Sequence, residues 1–120
     1  MPTPHSPLTL ALRTALTAAM RSRDRVAVSV YRSTLAAIDN AGAQPVTDMP
    51  AAGAMEEAPV GVGAADAARR LLTEDEVRGI VSAEIEERRA AAEEYDAAHA
   101  ERAAALRQEA GLLEAVLGRA

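Results

Sequence analysis

Glu84 and Arg88 stand four residues apart, the spacing that places two side chains over one another on a helix. The same face carries Val77, Ile80, Val81, Ala91, Ala92 and Tyr95, an apolar stripe at helical period. Charges on a packed face cost free energy unless they are paired, so this pair needs a partner. Folding the chain back on itself about residue 99 supplies one. That register sets Tyr95 near Ala103, Ala92 near Leu106 and Arg88 near Glu109 or Ala110, on a second stripe carrying Leu106, Ala110, Leu113 and Leu117. A cluster of Glu84, Arg88 and Glu109 is therefore expected, with charged groups within about 4 Å of one another. Such a cluster can be an ion network that sets helix register, or it can recognise a polar ligand or partner. General acid–base work is the third reading, opposed by the guanidinium, which holds both carboxylates ionised.

The second chemical candidate is Arg21, Arg23, Arg25 and Arg32, gathered at the corner between the first two helices. Clustered guanidinium groups can hold an RNA backbone through its phosphates without reading sequence; the plain alternative is a solvated helical corner. Other candidates fall away. His99 follows Asp96 by three residues, but only His5 offers a second imidazole, so His99 reads as a turn residue and no metal is expected. The chain has no Cys and no Lys, which removes thiolate nucleophiles and ligands, disulfides and Schiff-base chemistry. Ser29, Ser33 and Ser82 have no neighbouring His or Lys to activate them, and Tyr31 and Tyr95 lie on packing stripes. GVGAAD at 61–66 follows no strand, so it is not a phosphate loop, and no cofactor is implied.

The elements that must position these groups are helices. Thirty of the 120 residues are Ala, there is no Phe or Trp, and no strand pattern occurs. Alanine favours helix and buries little area, so the core must be thin and the helices close. Ser6–Pro7 opens a helix with a capping hydroxyl and a proline where its missing N–H is harmless. Leu8, Leu12, Ala15, Leu16 and Ala19 share its inner face. Asp24 caps a second helix with Ala27, Val28, Tyr31, Thr34, Leu35 and Ile38 inward, ended by Asn40–Gly42. Thr73 and Glu76 form a capping box for the third. The expectation is an all-α antiparallel bundle with helices near 7–22, 24–41, 74–98 and 101–117 in one domain over residues 1–120. Residues 43–69, with three Pro and three Gly, read as a long flexible loop. Gly111 inside the fourth helix is expected to mark a close helix–helix approach.

Charge is divided along the chain. Residues 1–45 hold five Arg against Asp24 and Asp39, a net of +3, and the remainder nets −8 within a total of −5. Such polarity argues against a general nucleic-acid coat and leaves local RNA contact at the basic end. No run approaches the roughly 20 apolar residues of a membrane span, and the lack of Cys suits a reducing, cytoplasmic setting.

Three segments, RDRVAVSVYRSTLAAIDNA (23–41), LTEDEVRGIVSAEIEERRAAAEEY (72–95) and AERAAALRQEAGLLEAVL (100–117), together resemble the YqeY-like proteins. That family is similar to the C-terminal tail of the glutamyl/aspartyl-tRNA amidotransferase, and the resemblance is to its first helical module. It implies a helical bundle with a shorter link where 43–69 stands, so that segment reads as an insertion. It further implies a carbon–nitrogen ligase association, with glutamine as amido donor and tRNA or the amidotransferase itself as partner. A chain without Cys, Lys or phosphate loop is expected to assist that reaction rather than perform it. A helical protein-interaction scaffold with no RNA role is the alternative.

Overall fold

The computed structural model describes residues 6–43, 71–95 and 97–120, which form four helices and, among these residues, no strand. They are α1 (Pro7–Ser22), α2 (Arg25–Ala43), α3 (Glu74–Tyr95) and α4 (Ala100–Arg119). Of the loop expected at 43–69, Ala43 is the last residue of α2; the rest of it and the Asp96 half of the Asp96–His99 spacing lie outside the described residues.

Each start has a local cause. Ser6 Oγ accepts the Thr9 N–H at 2.8 Å, and Pro7 occupies the first turn of α1. Asp24 Oδ1 accepts the Ala27 N–H at 3.1 Å, while its carbonyl accepts from Val28. At α3 the capping box is reciprocal: Glu76 N–H donates to Thr73 Oγ1 at 3.0 Å, and Thr73 N–H to Glu76 Oε1 at 2.8 Å. His99 opens α4 without a side-chain cap.

The corner after α1 closes by a different device. Arg23 adopts φ 60°, ψ 36°, the left-handed conformation usually given to glycine. Its N–H reaches the Met20 carbonyl at 3.2 Å, and the Asp24 N–H reaches Ala19 at 3.0 Å. These two bonds are a Schellman closure, and they satisfy carbonyls that the end of a helix leaves open.

Several boundaries differ from the sequence reading. Asn40–Gly42 do not end α2, which continues through a buried Gly42 to Ala43. α3 ends at Tyr95 rather than 98, and α4 extends to Arg119. His99, in the turn between them, takes φ −136°, outside the left-handed region, and donates its N–H to the Tyr95 carbonyl at 2.8 Å.

The four helices form two hairpins, α1 with α2 and α3 with α4. The partners within each hairpin pack most intimately, and each helix of the first hairpin touches both of the second. The core is aliphatic, with Leu8, Leu12, Val30, Val77, Val81, Leu113 and Val116 almost inaccessible and Tyr31 and Ile85 beside them. Thr34 is fully buried and spends its hydroxyl on the Val30 carbonyl at 2.9 Å. Near the turn the core thins to Ala92, Ala103 and Leu106, which lets α3 and α4 approach closely. Gly111 does not create that approach: it is exposed, and a Cβ built there meets nothing within 4 Å. Tyr95 departs from the expected stripe as well. It is 38 % exposed, with its ring edge-on to His99 at 5.9 Å and beneath the Arg102 guanidinium at 5.9 Å. Among the described residues no helix is long and apolar enough to cross a membrane, and no group of three or more His, Asp or Glu can hold a metal ion.

Candidate functional site

α3 and α4 bring Glu84, Arg88 and Glu109 together. One turn of α3 stacks Glu84 beneath Arg88, and Arg88 Nη1 donates to Glu84 Oε1 at 2.8 Å and to the Glu84 carbonyl at 3.1 Å. Antiparallel packing carries Glu109 of α4 to the other side, where Arg88 Nε donates to its Oε1 at 3.2 Å. The remaining arm leaves the hairpin, and Nη2 donates to Ser33 Oγ on α2 at 3.2 Å. A guanidinium has five N–H donors in a rigid fork, and here they bind two carboxylates, a carbonyl and a hydroxyl on three helices. The Arg88 side chain keeps 14 % of its surface, Glu84 21 % and Glu109 23 %. The arrangement fixes the register of α3 on α4 and of both on α2. It also engages each nitrogen of the guanidinium within the chain itself.

Sequence reasoning finds the three charged members and misses Ser33, which as a lone hydroxyl reads only as an unactivated nucleophile. No local signal marks it, because the contact joins residues 55 apart. Arg89 escapes as well. Its Nη2 donates to Glu114 Oε1 at 2.7 Å, and that hydrogen bond, with the carboxylate charge, raises the already high pKa of the guanidinium. Register counted about residue 99 pairs Arg89 with the neighbourhood of Glu109 instead, and Glu114 lies farther along α4.

The corner arginines present the opposite chemistry. Arg21, Arg23, Arg25 and Arg32 are all exposed, as is Arg13 on α1. Among the described residues none of these five sits in an ion pair, whereas Arg78, Arg88 and Arg89 of α3 all do. Arg23, Arg25 and Arg32 line one open depression with Met20, Ser29 and Ser33. Arg21 does not line it. Ser33 links the two regions, since its hydroxyl accepts from Arg88 while it donates to the Val30 carbonyl at 3.1 Å.

One buried titratable group lies between the hairpins. Tyr31 retains 7 % of its surface, and burial pushes its phenol above the ordinary value of 10.0, opposed by the positive charge of Arg119 and reinforced by Asp24. No family model, no curated protein and no solved structure matches the chain.

Proposed function

We propose that the chain is an accessory helical module of tRNA-dependent amidotransfer, acting by holding tRNA or the amidotransferase rather than by catalysis of its own. The reading starts from the resemblance to YqeY-like proteins, with its implied class of carbon–nitrogen ligase using glutamine as amido donor. The observation that carries it is the contrast in the arginines. Those of α3 are consumed by intramolecular ion pairs, while Arg23, Arg25 and Arg32, which share one depression that Arg21 does not line, face solvent with no ion pair among the described residues. Unpaired guanidinium groups on a positive end of an otherwise acidic molecule suit phosphate and steer it to that end. The Glu84–Arg88–Glu109 cluster serves in this reading as the brace that holds the hairpins together.

A gel shift with tRNA over a salt series tests the proposal. Binding that weakens steeply with salt, and is lost when Arg23, Arg25 and Arg32 are replaced together by Ala, supports it. A second reading, a protein-interaction scaffold with no RNA role, draws on Met20 and Val26, which are 50 % and 43 % exposed at the same corner. A folded protein that shifts no tRNA at low salt favours that scaffold.

A further inference from the structure

Arg32 belongs to two depressions. One opens at the corner between Arg23, Arg25 and Ser29; the other lies along the seam of α1 and α2, where Arg13, Thr17 and Leu35 line it. Because Arg32 lines both, the two are successive parts of one surface, running from the corner along the α1–α2 hairpin. Its floor on α2 follows the helical spacing Arg25, Val28, Arg32 and Leu35, about 15 Å along the helix axis. Among the described residues of the two linings the acid is Asp39, which has an interaction of its own. Among the described residues no aromatic side chain lines either part.

Resting on the RNA reading above, we infer that this surface is a track for the phosphodiester backbone of one RNA strand, with Arg13 as a further contact and Arg21 outside it. Four guanidinium groups, Arg13, Arg23, Arg25 and Arg32, supply the charge, and the hydroxyl of Ser29 offers a neutral donor to phosphate oxygens. Without an aromatic platform the bases find nothing to stack on, so recognition is through the backbone and indifferent to sequence. A track makes a different demand from a simple charge count. Arg13 lies two turns before Arg21 on the same helix and far from the corner in sequence, yet it lines the track and Arg21 does not.

Anisotropy titrations with unfractionated tRNA and with a short oligouridylate, across a salt series, compare the wild type with R13A, R32A and R21A. Four phosphate contacts give a log–log salt slope of about −3, an affinity loss of about 50-fold between 50 and 200 mM salt. R13A and R32A each flatten that slope by about 0.7–0.9, R21A leaves it unchanged, and both probes respond alike. The positions are exposed, so unchanged thermal midpoints confirm that the variants are folded. R21A flattening the slope as much as R13A overturns the track, as does a strong preference for one RNA sequence. So does displacement of tRNA by polyglutamate as effective as that by polyuridylate of equal charge, which assigns the surface to an acidic protein. If R13A alone is silent, the track fails while the corner reading stands. If neither probe binds the wild type at low salt, both fail.

Discussion

Arg88 of α3 donates through Nε to Glu109 Oε1 of α4 at 3.2 Å, while its other arms hold Glu84 and Ser33. Removing the guanidinium strands two carboxylates that keep only about a fifth of their surface in water. Arg88→Ala should therefore cost about 2–3 kcal/mol, below the 3–5 of a fully buried pair because both acids can partly rehydrate. Arg78→Ala is the control. Its partners are Glu74 at 3.6 Å and the Ala120 carbonyl, its side chain is 38 % exposed, and its loss should cost under about 0.5 kcal/mol. A denaturant double-mutant cycle between Arg88 and Glu109 measures the coupling, and a value near zero contradicts the brace.

Arg23 holds φ 60° where glycine is at ease. Arg23→Gly should raise stability by about 0.5–1 kcal/mol, since the Schellman bonds need only backbone and the left-handed strain on a Cβ is relieved. Chemical denaturation reads the gain. The same substitution weakens tRNA binding if Arg23 meets phosphate, so stability and affinity should move in opposite directions.

Gly111 lies within α4, exposed, with open space around a built Cβ. Gly111→Ala should stabilise the protein by about 1 kcal/mol, the helix-propensity difference, with no steric penalty to offset it. A fall in the thermal midpoint would show a helix contact that the geometry does not contain.

Burial raises the Tyr31 phenol above 10.0, so below that pH both folded and unfolded chains keep the proton. As pH climbs past 10.0 the unfolded chain ionises first and gains free energy, and stability falls until the folded phenol titrates. Urea midpoints through this range should decline in the wild type. The decline should be smaller in Tyr31→Phe, and equal slopes in the two proteins would remove the effect.

Helix starts are legible in the chain because capping is local. Ser6–Pro7, Asp24 and the Thr73–Glu76 box act over three residues and need no tertiary partner. The four helices of the described residues, with no strand among them, follow from period and alanine content, and the Arg88–Glu109 contact from counting residues about one tight turn. Ile85, buried at 4 %, is an omission from the expected stripe that periodicity could have filled, since it lies four residues beyond Val81. Tertiary structure alone decided the rest. Whether Tyr95 is core or rim depends on where α3 ends: Tyr95 is its last residue and stays 38 % exposed, beyond the small cluster of Ala92, Ala103 and Leu106. Ser33 joins Arg88 only because two hairpins dock, a geometry that no periodicity within either hairpin encodes. Arg13 shares a surface with Arg32, while Arg21 does not, for a related reason. Side-chain direction on a helix is fixed every 100° or so by its turn, but which directions face a neighbouring helix is fixed only by the packing of the whole bundle.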